Sequence, residues 1–257
     1  MTVYIIGAGP GAPDLLTLRG SRILGECRTC LYAGSLVPAE ILTHCPDDVR
    51  LIDTARMPLS EIIEHIAAAH ERGDDVARLH SGDPSLYSAV AEQVRHLTKL
   101  GIDYEIVPGV PAFAAAAAAM GIELTVPGVG QSLLITRVST LSTDMPHGED
   151  LAALASAGVT LALHLAANQA DQIVDALLPH YGADCPTATV AFASRADERV
   201  VRCPLVELPG ALAAAQIRRT AVIFVGPVLA AAAHPDVTDS YLYSHARMTK
   251  LRADGQL

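Results

Sequence analysis

The sequence predicts an α/β protein, and three observations lead there. Short apolar runs alternate with helix-length stretches of 3.6-residue apolar spacing. Glycine- or proline-rich turns follow most of the apolar runs. The strand-helix order repeats five times before Gly121, which calls for a mainly parallel sheet with helices on both faces. A second series then contains two strands separated only by Ser194-Arg195-Ala196-Asp197-Glu198, a hairpin spacing that makes the second sheet mixed.

The elements follow in order. Val3–Ile6 is the first strand, and Gly7-Ala8-Gly9-Pro10-Gly11-Ala12 turns it into a helix over Leu15–Cys27 with Asp14 as candidate N-cap. Cys30–Tyr32 is a strand that breaks at Gly34 into a helix begun by Pro38. Val49–Ile52 is a strand, Thr54–Pro58 a loop, and Leu59–Arg72 a helix stopped by Gly73. Val76–Leu79 reads as a buried strand, Ser81–Pro84 as a tight turn and Ser85–Leu100 as a helix with Leu86, Val90, Val94 and Leu97 on one stripe. Tyr104–Val107 leads through Pro108-Gly109-Val110-Pro111 into the alanine-rich helix Phe113–Met120. The second series runs as strand Ser132–Val138, polar loop Ser139–Asp150, helix Leu151–Ala157, strand Thr160–Ala166 and helix Gln169–Tyr181. Strands Thr187–Ala193 and Arg199–Cys203, helix Leu208–Gln216 and strand Ala221–Val225 complete it. From His234 the chain is polar without periodicity and is expected to be a tail or an arm.

Composition excludes several classes. At 257 residues the chain makes one large domain or two ordinary ones, expected as 1–124 and 125–257. A 51% hydrophobic content with 18% charged residues excludes general disorder. The apolar stretch Ala112–Met120 is too short to span a bilayer, and Met1-Thr2-Val3-Tyr4 enters a strand without a basic leader, so no membrane partner is expected and the cytoplasm is. A net charge of −10 argues against nucleic acid. Five irregularly spaced cysteines do not make a disulfide framework. Cys27-x-x-Cys30 lacks the second pair that a zinc ribbon needs and reads as packed thiols. The ten histidines form no tight ligand set, so no metal is expected.

Two turns carry candidate chemistry. In an open α/β sheet, ligands lie beyond the carboxyl ends of strands. Gly82 there lets a ligand approach the backbone, and Asp83 offers an acceptor; an ordinary helix-capping turn through Asp83-Pro84-Ser85 is the alternative. Gly7–Ala12 fits a G-x-G-x-x-A dinucleotide pattern, the basis of a nicotinamide oxidoreductase reading. However, Pro10 and Pro13 have no amide hydrogen to give a pyrophosphate, and no acid closes the second strand. An active-site turn or plain packing fits that segment better.

Five motifs occur in one order: Gly7-Ala8-Gly9-Pro10-Gly11, Leu31-Tyr32-Ala33-Gly34-Ser35-Leu36-Val37, His80-Ser81-Gly82-Asp83-Pro84, Pro108-Gly109-Val110-Pro111, and Asp197-Glu198-Arg199-Val200-Val201-Arg202. Together they closely resemble the tetrapyrrole (precorrin) methyltransferases, over about Val3–Gly226. Tyr32–Val37, Thr54-Ala55-x-Met57 and Ile135-Thr136-Arg137 resemble the branch that methylates C11 of precorrin-4, in its aerobic form, with the cobalt-containing substrate or another ring position of a precorrin as the alternative. The resemblance implies two α/β/α domains, the first sheet mainly parallel and the second mixed, with the ligand in a cleft between them. It implies S-adenosylmethionine as cofactor, S-adenosylhomocysteine as product, a tetrapyrrole substrate and a homodimer. By matching positions, the cofactor is expected near Pro10, Ser81, Gly82, Asp83 and Leu86. Pro111, Ala112, Leu165, Ala193 and Gly226 match further contacts; Pro111-Ala112, Leu165 and Ala193 depart from the family's usual Thr-Ala, Met and Gly.

Methyl transfer from a sulfonium needs orientation more than a strong base, and orientation supplies on the order of 7–11 kcal/mol. Asp83 is the nearest acid for proton removal, with holding a ribose or the loop as its other roles. A substrate bearing many carboxylates needs local positive charge. Arg19, Arg56, Arg78 and Arg137 are the candidates, each balanced against an ordinary surface role. The Ser139–Glu149 loop is a candidate lid.

Overall fold

A computed structural model describes residues 1–139, 144–233 and 236–254. The chain forms two compact units: Met1–Ala119 with Phe192–Glu198, and Met120–Ala191 with Arg199–Leu257.

The first unit is built on five parallel strands in the order β3-β2-β4-β1-β5: β1 (Thr2–Gly7), β2 (Thr29–Tyr32), β3 (Arg50–Asp53), β4 (Val76–His80) and β5 (Asp103–Val107). Helices α1 (Leu18–Leu24), α2 (Leu59–Glu71), α3 (Val90–Leu100) and α4 (Ala112–Met120) connect or follow them, with a 3-10 segment over Ala39–His44. The period-2 alternation of β1 sorts its side chains between two cores. Val3 and Ile5 pack with Ile62, Ile66 and Leu97 from α2 and α3. Ile6 packs with Ile23 and Leu24 from α1 and with Val37 and Ile41.

The second unit has a mixed sheet in the order β6-β7-β10-β8-β9: β6 (Leu133–Arg137), β7 (Thr160–His164), β8 (Pro186–Ala191), β9 (Arg199–Pro204) and β10 (Ala221–Val225). Only β6 and β7 pair parallel; β10 runs antiparallel to both of its neighbours, and β8 and β9 form the expected antiparallel pair. Its helices are α5 (Leu151–Ala155), α6 (Ala170–Tyr181), α7 (Leu208–Ala214) and α8 (His245–Ala253). Asp150 caps α5 by accepting from Ala153 N at 2.9 Å.

Three sequence expectations need correction. The helix expected from Ser85 begins only at Val90, because Tyr87 and Ala89 are left-handed (φ 53° and 51°) and cannot continue a right-handed turn. The helix expected from Leu15 is split: a 3-10 turn covers Pro13–Leu15, and α1 is capped by Thr17, whose side chain accepts from Gly20 N at 3.1 Å, so Asp14 is not the cap. The polar C-terminal stretch contains α8, capped by Ser244 accepting from Arg247 N. Residue 234, where that stretch begins, lies outside the described residues, as do residues 140–143 of the candidate lid.

Candidate functional site

The strand order places the carboxyl ends of β4, β1 and β5 side by side, and the three turns that leave them interlock. Ala8 N donates to His80 O at 2.8 Å, Gly9 N to Gly82 O at 3.2 Å, and Gly82 N to Gly9 O at 2.7 Å. Side chains are excluded where the turns cross. A Cβ on Gly7 would lie 2.6 Å from Gly109 Cα and 2.7 Å from Gly82 O, and one on Gly109 would overlap Gly82 O. Gly82 is left-handed (φ 70°), a conformation that costs glycine nothing. Gly82 is the glycine expected to admit a ligand to the backbone, and a Cβ there would meet nothing closer than 3.7 Å; Gly7 and Gly109 instead admit another stretch of backbone.

Asp83 locks the crossing. Its Oδ2 accepts from Gly109 N at 2.8 Å, and its Oδ1 accepts from Ser85 N at 2.9 Å and from the Ser85 hydroxyl. Burial alone would raise its pKa, but these hydrogen bonds outweigh it and hold the carboxyl below the usual range. Both oxygens are thus engaged within the turns. An acid so held is a poor proton acceptor, and of its expected roles the structure displays that of loop holder.

The segment between β8 and β9 adds a fourth piece. Ala12 N donates to Ser194 Oγ at 3.0 Å, and Ser194 N donates to Glu198 Oε2 at 2.6 Å. A Cβ on Gly11 would run into the Arg195 stem. The Arg195 guanidinium sits 5.3 Å from the Phe192 ring centroid, and its Nε lies 3.4 Å from Asp197 Oδ1. Phe192 and Ser194 are both left-handed, and Ala193 is buried between them. This geometry disposes of the dinucleotide reading. The glycine run is filled by Gly82, Leu15 and Arg195, and it does not open onto a helix N-terminus, since Thr17 caps α1 six residues beyond Gly11.

The other expected residues fall in different places. Pro10 is buried in the first turn, whereas Ser81, Leu86, Pro111 and Ala112 are half-buried and keep surface for a ligand. Pro111 O accepts from Ala114 N and Ala115 N, so Pro111 opens α4. Leu165 follows β7 in the left-handed region (φ 55°) with its side chain 61% exposed. Gly226 follows β10 at φ 146°, and its N donates to Pro186 O at 3.2 Å.

Of the four arginines, Arg19 on α1 and Arg56 after β3 are exposed. Arg137 ends β6 and donates to Val138 O and Asp144 O. Arg78 departs from expectation: it is only 7% exposed, and its guanidinium donates to Gln93 Oε1 (3.0 Å) and Thr54 Oγ1 (2.9 Å) inside the protein. It is a buried structural cation, not a surface fork for substrate carboxylates, and burial lowers its pKa to about 10. Two strand positions on, His80 is buried with no hydrogen-bond partner for Nε2, and burial next to Arg78 pushes its pKa down to about 3. Cys27 and Cys30 are buried free thiols, and burial pushes Cys27 up to about 12, as suits packed sulfur. Among the described residues no group of histidine, cysteine or acid side chains could hold a metal ion, and no helix is long and apolar enough to cross a membrane.

Sequence reasoning missed Gln93, Ser194 and Arg195. Gln93 gave one usable signal, a polar residue three positions after Val90 within an apolar stripe. Ser194 and Arg195 gave none, because their partners lie about 180 positions away.

The chain has one parallel and one mixed five-stranded sheet, and it belongs to the tetrapyrrole methylases: residues 2–209 match Tetrapyrrole (Corrin/Porphyrin) Methylases. It is 58% identical over 247 residues to the precorrin-4 C(11)-methyltransferase of Rhodococcus erythropolis, covering 96% of this chain and 98% of that one. Among solved structures it is similar to the cobalamin biosynthetic enzyme cobalt precorrin-4 methyltransferase, with TM-score 0.86, 36% identity, and 89% and 95% of the two chains covered. A uroporphyrin-III C-methyl transferase from Thermus thermophilus, complexed with S-adenyl homocysteine, matches with TM-score 0.75 and 28% identity over 95% and 100% of the chains.

Proposed function

We propose that this chain is an S-adenosylmethionine-dependent methyltransferase that methylates C11 of precorrin-4 in the assembly of the corrin ring of cobalamin. The observation that carries this is the 58% identity sustained over 96% of the chain with an enzyme of that name. The lower identity to the cobalt precorrin-4 enzyme, 36%, favours a metal-free macrocycle.

The residues at the crossing of the turns suit the cofactor. Ser81 is half-buried and offers a hydroxyl just beyond β4 to a ligand. Leu86 and Pro111-Ala112 supply half-buried apolar surface for an adenine, and Pro10 and Gly82 supply backbone. Bound there, S-adenosylmethionine supplies a methyl carbon already activated by its sulfonium, so the protein's share is orientation. Asp83 contributes by fixing the turns, through Gly109 N and Ser85, and not by taking a proton. Ala193, Leu165 and Gly226 keep their expected cofactor contacts on the resemblance alone, and Arg19, Arg56 and Arg137 remain the candidates for substrate carboxylates.

Incubation with precorrin-4 and methyl-labelled cofactor, followed by NMR of the product, tests the assignment. Label at C11 is expected; label at another ring carbon, or none, would overturn it. We also read the working form as a homodimer in the cytoplasm. The edge strand β5, which leaves Tyr104 and Ile106 exposed, agrees with a partner copy, and sedimentation of the purified chain decides it.

A further inference from the structure

We propose that Arg78 is a positioning residue for the cofactor-binding turn, acting through the side-chain amide of Gln93. The inference rests on the assignment of Ser81, Gly82 and Leu86 to S-adenosylmethionine made above.

Four hydrogen bonds run through a buried polar chain. Thr54 Oγ1 donates to Tyr32 O at 3.1 Å, at the carboxyl ends of β2 and β3. Thr54 Oγ1 in turn accepts from Arg78 Nη1 at 2.9 Å. Arg78 Nε donates to Gln93 Oε1 at 3.0 Å, and Gln93 Nε2 donates to Ala89 O at 3.2 Å. Thr54, Arg78 and Gln93 are all buried. A guanidinium only donates, so it dictates which end of the Gln93 amide faces it. The oxygen must point at Arg78, and the nitrogen is thereby aimed at Ala89.

Ala89 is the place where such aim matters. It and Tyr87 are non-glycine residues in the left-handed region, at the end of the turn that carries Ser81, Asp83 and Leu86. Such residues persist only where their surroundings over-determine them, and they concentrate at ligand clamps. A strained turn of this kind has a competing solution, in which the right-handed helix extends back toward Ser85 as the sequence pattern invites. The amide held on Ala89 O pins the last residue before α3.

The nature of the cation supports a geometric role. Among the described residues no carboxylate pairs with Arg78; its hydrogen-bond partners are neutral. Burying a charge without a counter-charge is expensive, and an apolar residue would fill the same space at lower cost. What the guanidinium adds is direction: two N–H groups in one plane, one toward β3 and one toward α3.

Gln93→Glu separates positioning from mere packing. The carboxylate still accepts from Arg78 and adds the missing counter-charge, but it has no hydrogen to give Ala89 O. The expected result is a Tm at or above that of the wild type, with S-adenosylhomocysteine bound about tenfold more weakly by calorimetry, as the loss of one partly buried hydrogen bond implies. The KM for S-adenosylmethionine should rise by about the same factor, with kcat within about twofold. The double variant Arg78→Met/Gln93→Met, which replaces the polar pair by apolar side chains, should also fold and bind about tenfold more weakly. Wild-type affinity in either variant overturns the proposal. Asp83→Asn distinguishes the two levels. If it weakens binding while the Gln93 variants do not, the relay falls and the cofactor turn stands. If neither change affects binding, or the wild type binds no S-adenosylhomocysteine, both fall.

Discussion

The turns that leave β4 and β7 start alike and end differently. Each strand finishes on a histidine, buried His80 or half-buried His164, which desolvation keeps neutral by lowering its pKa to about 3 or about 4. Each is followed by a left-handed residue. After β4 that residue is Gly82, clamped by Gly9 on both its N–H and its carbonyl. After β7 it is Leu165, which holds a positive φ without glycine's freedom and exposes most of its side chain. The first turn therefore spends its conformation on backbone packing and is part of the fold. The second keeps a large apolar side chain in a strained, exposed setting, which stability alone does not call for.

The largest effect expected from breaking this contrast is at the glycine crossing. Gly109→Ala forces a methyl onto Gly82 O and Gly7 Cα, both backbone atoms that cannot yield cheaply. A destabilisation of about 3–5 kcal/mol is expected, visible as a Tm drop on the order of 10 °C or as insoluble protein. A variant that melts with the wild type would show that the turns separate easily.

Next comes acid. His80 and His164 have folded pKa values below the unfolded value of about 6.5, so the unfolded chain takes up their protons first. Their stability contribution is intact above about pH 6.5 and falls away as the pH drops toward 3–4. Between pH 7 and pH 5 each group should cost about 2 kcal/mol, read from urea midpoints at the two pH values. His80→Phe and His164→Phe should each remove about half of that dependence; an unchanged slope would show the ring to be solvated.

Leu165→Gly relaxes the left-handed residue without emptying a core site. It should raise stability by about 1 kcal/mol, a Tm gain of a few degrees. If Leu165 serves the cofactor, as the family resemblance implies, the same variant binds S-adenosylhomocysteine more weakly. A gain in stability with no loss of affinity would remove Leu165 from the site. Asp83→Asn, which keeps one acceptor oxygen, should change stability by a similar amount in the other direction, a loss of about 1 kcal/mol by denaturant titration.

Much of this architecture was legible beforehand. The apolar runs that became β1, β4 and β10 were readable because buried strands are continuous or alternate with period 2, and the Ser194–Glu198 spacing already marked β8 and β9 as an antiparallel pair. The glycines at 7, 82 and 109 stood out as special turns. Their partners did not, since only the strand order brings residues about 75 and 100 positions apart into contact. Arg78 looked like a binding residue because a charge at a strand end often is one; its burial against Gln93 and Thr54 follows from the packing of α3 and the β3 loop over that face. Helix α8 escaped notice because it buries no residue and so has no apolar stripe to read, although Ser244 was present as a cap signal.

What the sequence determined by itself is local: where strands and helices form, where glycine or proline interrupts them, and hence an α/β chain with one parallel and one mixed sheet. Periodicity and turn chemistry act between near neighbours, so they are written in order along the chain. Tertiary structure alone decided that the glycine turns fill one another, that Asp83 is spent on Gly109, that Arg78 faces inward, and that Tyr87 and Ala89 are left-handed. Those outcomes depend on atoms brought together from distant positions, and a strained φ at a residue other than glycine has no local signature because its cost is met by contacts made elsewhere.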